Sequence, residues 1–320
     1  MNKKQQENLQ REAAALLEQG KVSCIIGYEP GTLKFATTPI VIKDKKDVER
    51  LVVNHFITNN LAKHLIKLKG KAAIVAKGCD SRSIVSLIQD HKVARENIVI
   101  IGVACEGLID INKIQKLTNK EKDEIDNITR EGDKVIVTAG KDKKEFALKD
   151  VLYAHCLTCD MPTPKEYDIL LGEPSSPPVD KAASQAKIDE LEKMTPEVRW
   201  KYWQEQMQKC TRCYACRNVC PACYCERCFV EETEPQWVET APNWQDNLIF
   251  QTIRTLHVAG RCTDCGNCER ACPVGIPLRS MSKKMYDIVD ETFHYKAGSD
   301  KKELPLMASY EQTEAEEFIR

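Results

Sequence analysis

The sequence predicts an α/β amino-terminal domain with a mixed or parallel sheet, followed by a mainly α-helical, cysteine-rich carboxy-terminal domain. Three observations carry this. Residues 72–105, AAIVAKGCDSRSIVSLIQDHKVARENIVIIGVAC, read as an apolar run, a turn with Gly78, a helix and a second apolar run. The stretch GEPSSPPVDKAASQ at 172–185 then breaks the pattern with proline and serine. Beyond it lie two cysteine runs, at 210–221 and 262–273, among segments of helical character.

Taken in order, a short helix near 7–18 precedes a strand at 22–29, VSCIIGYE. A longer helix is expected over 47–68, where Leu51, Phe56, Leu61, Leu65 and Leu68 supply the apolar positions. In the 72–105 unit the helix is expected to be capped near Asp80 or Ser81. Such strand, helix, strand units build parallel sheets, whose ligands gather at the carboxyl ends of the strands. Cys79 and Cys105 fall there. Strands at 134–139 and 145–154 lead to Cys156 and Cys159. After the break come helices near 185–193, 196–209, 246–259 and 277–291, then a charged tail, EQTEAEEFIR. The domains are therefore 1–172, a linker at 173–194, and 195–320. A chain of 320 residues, 42% hydrophobic, is long enough for two cores.

The formal net charge is -1 and lysines alternate with acids, so no basic face invites nucleic acid or an anionic membrane surface. No run approaches the roughly 18 apolar residues of a membrane span, and the amino terminus lacks the apolar core of a secretory signal. A cytoplasmic location follows as the expectation. Sixteen cysteines in a reducing compartment point to metal ligation or redox chemistry rather than a disulfide framework.

CTRCYACRNVCP places Cys210, Cys213, Cys216 and Cys220 at the spacing C-x-x-C-x-x-C-x-x-x-C-P, and CTDCGNCERACP repeats it with Cys262, Cys265, Cys268 and Cys272. Three close thiolates wrap one corner of a [4Fe-4S] cubane, and the fourth cysteine crosses to the other cluster. The expected ligand sets are thus Cys210, Cys213, Cys216 and Cys272 for one cluster, and Cys262, Cys265, Cys268 and Cys220 for the second, in a ferredoxin-like domain. Pro221 and Pro273 follow each fourth cysteine, where a missing amide leaves one donor fewer to satisfy. The competing metal is zinc, in a binding or scaffold protein without redox activity. Zinc ribbons, however, use two separated C-x-x-C pairs, and tetrahedral coordination does not call for three cysteines in one loop.

Cys79, Cys105, Cys156 and Cys159 form a dispersed second constellation. On spacing alone they either hold a third [4Fe-4S] cluster at one sheet edge or are separate buried thiols. Cys223, Cys225 and Cys228, in PACYCERC, are three ligands in search of a fourth, and Cys24 in VSCII reads as a buried strand thiol. His155, His257, Trp200, Tyr202 and Trp203 flank the cysteine segments and read as packing groups.

KGCDSRSIVSLIQDHKVARENIVIIGVACEG and CLTCDMPTPKEYDILLGE resemble the beta subunits of coenzyme F-420-reducing hydrogenases and related formate dehydrogenases over roughly residues 20–172. That resemblance implies that Cys79, Cys105, Cys156 and Cys159 are cluster cysteines and that Lys77, Ser81 and Arg82 lie beside FAD. Two features differ from those subunits: the ferredoxin-type motifs follow the flavin-binding part, and the turn reads KGCD rather than a KPC type. The run HVAGRCTDCGNCERACPVGIPL is similar to ferredoxin-type subunits of heterodisulfide-reductase-like and electron-bifurcating enzymes.

With no G-x-G-x-x-G, Walker motif, nucleophile-base pair, or nickel or molybdenum signature, substrate chemistry beyond electron transfer is left to a flavin or to partners. The expected function is an iron-sulfur electron-transfer subunit of a cytoplasmic multi-subunit oxidoreductase. It passes single electrons between a flavin or nucleotide-oxidising module and a partner such as a hydrogenase, formate dehydrogenase, heterodisulfide-reductase-like enzyme or NADH-oxidising flavoprotein.

Overall fold

The computed structural model describes residues 3–174, 180–310 and 312. Residues 175–179 of the expected linker, and all of the tail at 311–320 except Gln312, lie outside the described residues. The chain divides into two compact units, one of residues 1–61, 68–81 and 96–184, the other of 62–67, 82–95 and 185–320.

The strands of the first unit are β1 (Cys24–Pro30), β2 (Thr37–Ile42), β3 (Ala72–Ala76), β4 (Ile98–Val103), β5 (Asn127–Glu131), β6 (Lys134–Ala139), β7 (Asp142–Ala147) and β8 (Ile169–Leu171). Five of them form a mixed sheet in the order β2-β1-β3-β4-β8. β1, β3, β4 and β8 run parallel, with Ala73 opposite both Ile25 and Val99, while β2 pairs antiparallel to β1. Every residue of β3, AAIVA, is buried, as expected of a central parallel strand covered on both faces. The helices of this region are α1 (Lys3–Glu18), α2 (Gly78–Gln89), α3 (Ile111–Thr118), α4 (Leu148–Val151) and α5 (Ala154–Leu157). α1 buries Leu9, Ala13 and Leu16, one stripe at helical spacing.

The strand, helix, strand order at 72–105 is present, but the helix starts at Gly78, so Asp80 and Ser81, expected at its cap, lie inside it, and Asp80 Oδ2 accepts the Lys77 N–H at 2.9 Å from within the first turn. Residues 47–68 are not one helix but two short 3-10 turns, Lys45–Arg50 and Leu61–Leu65, joined by irregular chain that turns at 54–56. The Val52 N–H donates to the Tyr28 carbonyl at 2.8 Å, and Leu51 fills the space over Gly27, where a Cβ would come within 2.4 Å of Leu51 Cδ2. Val52, Val53, Asn54, Thr58, Asn59 and Asn60 are poor helix formers, so docking against β1 outweighs the apolar period. The strand expected at 145–154 ends at Ala147, and Leu148 and Val151 turn inward on α4. β5, β6 and β7 make a separate antiparallel meander. β2 and β8 escape sequence reading because both are edge strands, β2 carrying Pro39 and β8 having only three residues.

From 181 to 310 every described regular element is helical: α6 (Lys181–Lys193), α7 (Pro196–Gln208), α8 (Ala215–Asn218), α9 (Trp244–His257), α10 (Asn267–Arg270), α11 (Leu278–Phe293) and short 3-10 turns. Thr195 caps α7 with Pro196 at its first position, and Asn243 caps α9 by accepting from the Asp246 N–H at 2.8 Å. Met207, Cys216, Phe250, Ile276 and Leu278 form the buried core between these helices. The second unit also takes in residues that precede the break. Ser83 Oγ and Thr263 Oγ1 are 3.0 Å apart, Tyr224 OH donates to Asp90 at 2.6 Å, and Arg82 Nε donates to the Ala297 carbonyl at 3.0 Å. Among the described residues no helix is long and apolar enough to cross a membrane.

Candidate metal centres

The two cysteine runs fold alike. Residues Arg212 and Tyr214 of the first and Asp264 and Gly266 of the second occupy equivalent places, and all four have positive φ, between 51° and 67°. These left-handed turns wrap each loop back on itself so that three cysteines line its inner side, and each loop then enters a four-residue helix, α8 or α10. Only one of the four positions is glycine, so the other three hold a conformation that side chains disfavour. Buried polar anchors fix them. Arg212 donates from Nε to Asn247 Oδ1 at 3.0 Å and from Nη2 to the Ala241 carbonyl at 3.0 Å, while Asn247 donates to the Cys210 carbonyl at 2.8 Å. In the second loop Arg279 grips Asp264 with two bonds of 2.7 Å.

Cys210, Cys213, Cys216 and Cys272 line one pocket of about 320 Å³, part of it open to solvent, with Tyr214, Phe250, Pro273, Val274, Ile276 and Leu278 as its apolar wall. This is the ligand set read from the repeat, with the fourth cysteine contributed by the opposite run. The Ile276 N–H points at Cys272 Sγ (3.4 Å) and Gln251 Nε2 at Cys216 Sγ (3.6 Å), so two donors already face sulfur. Burial pushes the Cys210 thiol up, and its neighbours Cys216, Cys272 and Cys213 push the same way, as crowding of like charge would. Four thiols in one apolar pocket with donors aimed at sulfur suit an iron-sulfur cubane, which relieves that crowding by replacing protons with iron.

The second set is gathered likewise. Burial raises Cys268 to about 12, with Cys220 and Cys265 adding to the shift, and Cys262 is raised well above its usual range by burial, Asp264, Cys265 and Cys220. Asn267 on α10 donates to the Val219 carbonyl at 3.0 Å, tying the second loop to the turn that presents Cys220. Cys216 and Cys220, four residues apart, therefore face different sets, and α8 spans the interval between them.

Cys223 and Cys220 share a side-chain hydrogen bond, Cys228 bonds Arg217, and Cys225 is exposed, so these three have different surroundings. Cys24 is 3% exposed within β1. His155 stacks on Tyr153 with ring centroids 5.5 Å apart, His257 meets the edge of Phe229, Trp200 packs on Trp244 and Tyr202 on Trp203. Among the described residues no three cysteine, histidine or carboxylate side chains close on a single-ion geometry.

In the first unit three loops meet beyond β3 and β4. Cys79 lies in the first turn of α2, and Cys105 follows β4 and donates its N–H to the Pro162 carbonyl at 3.1 Å. Cys156 lies on α5, where its sulfur accepts the Leu108 N–H at 3.4 Å, and the Cys159 N–H closes on the Cys156 carbonyl. Gly78 lies so close to the third loop that an added Cβ would be 1.7 Å from the Met161 carbonyl oxygen. Burial pushes the Cys105 thiol up, and the Lys77 charge opposes that shift. Gly78→Ala is expected to displace the 161–162 backbone, destabilise the chain by about 1–3 kcal/mol and loosen the Cys105 to Pro162 contact. Urea denaturation read alongside iron content checks this.

Lys77, Ser81 and Arg82 each have protein partners. Lys77, 1% exposed, is 2.7 Å from Asp80 Oδ2 and donates to Tyr28 OH and to the Asn59 carbonyl. Burial alone would lower its pKa, but the Asp80 carboxylate and Tyr28 outweigh it and hold Lys77 above its ordinary range. Asp80 is fully buried, and its second oxygen, Oδ1, has no hydrogen-bond partner. Ser81 Oγ donates to the Glu166 carbonyl at 2.9 Å, and Arg82 to the Ala297 carbonyl and Tyr286 OH. Sequence reading missed the pairing of Lys77 with Asp80. Their i, i+3 spacing across the turn into α2 was the available signal.

Comparison with known proteins gives two domain matches. Residues 69–223 match the family described as the C terminus of the coenzyme F420 hydrogenase/dehydrogenase beta subunit, and residues 205–276 match the 4Fe-4S dicluster domain. The F420-dependent formate dehydrogenase subunit beta of Methanocaldococcus jannaschii is 25% identical over 91% of this chain and 91% of that protein. The F420-dependent formate dehydrogenase 1 subunit beta of Methanococcus maripaludis is 24% identical over 91% and 90%. A chain of the F420-reducing [NiFe] hydrogenase complex of Methanosarcina barkeri is 14% identical, with a TM-score of 0.41 over 62% of this chain and 84% of that one.

Proposed function

We propose, from the premise that this chain joins a coenzyme F420 hydrogenase/dehydrogenase beta-subunit region to a 4Fe-4S dicluster domain, that it is an iron-sulfur electron-transfer subunit of a multi-subunit oxidoreductase. The observation that carries the reading is the single pocket lined by Cys210, Cys213, Cys216 and Cys272, three from one run and one from the other. Cys262, Cys265, Cys268 and Cys220 are the ligands of the second cluster. Cys79, Cys105, Cys156 and Cys159 hold a third, supported by the meeting of their three loops at the carboxyl ends of parallel strands.

When bound, such clusters exchange single electrons. The chain's part is to hold them close together against an apolar wall. Phe250, Ile276 and Leu278, each 1% exposed, wall the buried side of the first pocket, and α8 with the turn that follows it carries Cys216 and Cys220 to neighbouring clusters. Electrons would pass from the α/β unit through the two ferredoxin-type clusters, or the reverse, to another redox subunit. A hydrogenase or formate dehydrogenase partner is favoured by the likeness to the formate dehydrogenase beta subunits. FAD in the α/β unit rests on the family likeness alone, since Lys77, Ser81 and Arg82 are engaged within the protein.

The test is reduction of the anaerobically purified chain. Dithionite is expected to bleach its visible absorption and produce electron paramagnetic resonance signals of at least two interacting clusters, with air restoring the colour. A colourless chain holding stoichiometric zinc would instead make the cysteine motifs a folding device, and release of no flavin on denaturation would remove FAD from the proposal.

A further inference from the structure

Helix α9 crosses the second unit between the two cysteine runs and carries two buried polar side chains one turn apart, Gln251 (1% exposed) and Arg254 (3% exposed). Gln251 lines the first pocket, donates from Nε2 toward Cys216 Sγ at 3.6 Å, and accepts the Arg254 Nε–H on Oε1 at 2.9 Å. Arg254 lies within charge range of Cys268 and Cys220 from the second set, Cys216 from the first, and Cys223. Among the described residues it has no carboxylate partner, and its Nη2 is buried without a hydrogen bond. A guanidinium taken out of water with neither counter-charge nor full hydrogen bonding is costly. The groups around it that can become anionic are the cysteines.

From this we infer that Gln251 and Arg254 set the reduction potentials of the two ferredoxin-type clusters, Gln251 acting on the cluster of Cys210, Cys213, Cys216 and Cys272, and Arg254 on both. The inference rests on the cluster reading above and adds a role for residues that ligate nothing. Four thiolates outweigh the positive core of a cubane, so the assembly is anionic and becomes one unit more so when it accepts an electron. A fixed cation nearby favours the reduced form, as does an N–H directed at a ligand sulfur, and both raise the potential. One guanidinium between two sets raises both together, which keeps transfer between them close to level. Its desolvation is offset by the same charges.

Potentiometric titration of the full anaerobic chain, followed by electron paramagnetic resonance, tests this. Arg254→Gln is expected to keep wild-type iron and sulfide while shifting both ferredoxin-type potentials downward, and Arg254→Lys, which keeps the charge, to shift them less. Gln251→Leu is expected to lower the potential of the first cluster more than that of the second. Full iron with both potentials unchanged in Arg254→Gln would overturn the role of Arg254. Should that variant lose iron, Gln251→Leu decides, since no shift, or an equal shift at both clusters, contradicts the assignment. A wild-type chain without clusters would instead remove the cluster reading itself.

Discussion

Replacing Cys79 or Cys159 by serine is expected to remove one cluster and lower the iron content from about 12 to about 8 per chain, at four irons per cubane, leaving both ferredoxin-type signals in place. A serine oxygen is a poorer ligand than thiolate for a soft iron site, and the four proposed ligands come from three loops distant in sequence. The ferredoxin-type sets draw no ligand from these loops, so their signals should persist. Cys24→Ser serves as the control, since Cys24 lies inside β1 at 3% exposure and is expected to act on packing alone. Iron content and spin quantitation unchanged in both the Cys79 and the Cys159 variants would leave the α/β unit without a cluster of its own.

Asp80→Ala is expected to destabilise the chain by about 3–5 kcal/mol, because it leaves the Lys77 ammonium buried with only Tyr28 and the Asn59 carbonyl to receive it. Lys77→Met in the same chain should recover part of that loss, giving a coupling energy well above the scatter of independent sites. The sign of the pH dependence follows from Lys77. Its folded pKa lies above the ordinary value, so its contribution is fully present below about pH 10.4 and is lost only as pH rises through the folded value. The defect of Asp80→Ala should therefore persist across the neutral range, which chemical denaturation at several pH values would show. Additive effects of the two substitutions would mean that the pair is not coupled.

The cysteine repeat was legible in the sequence because three of every four thiols are close neighbours in the chain, and the cross-over of Cys272 into the pocket of Cys210 follows from repeating the motif. The unit at 72–105 was legible for a similar reason: its strands are short and wholly apolar, and Gly78 marks the turn into the helix between them. What could not be read depends on tertiary contact. Leu51 sits over Gly27 in extended chain although its neighbours have helical apolar spacing, and β2 and β8 exist only because β1 and β4 offer them edges. The helix at 246–259 was legible, yet α9 turns Gln251 and Arg254 inward against cysteines, a facing that periodicity alone does not give. The left-handed turns at Arg212, Tyr214 and Asp264 are likewise hidden, with Gly266 the one residue of the four that hints at them.

Iron, acid-labile sulfide and zinc measured on the same anaerobically purified chain test the account most directly. The account predicts about 12 irons and an equal amount of sulfide per chain with little zinc, and about 8 of each if only the ferredoxin-type sets are filled. Iron near zero with stoichiometric zinc would contradict it.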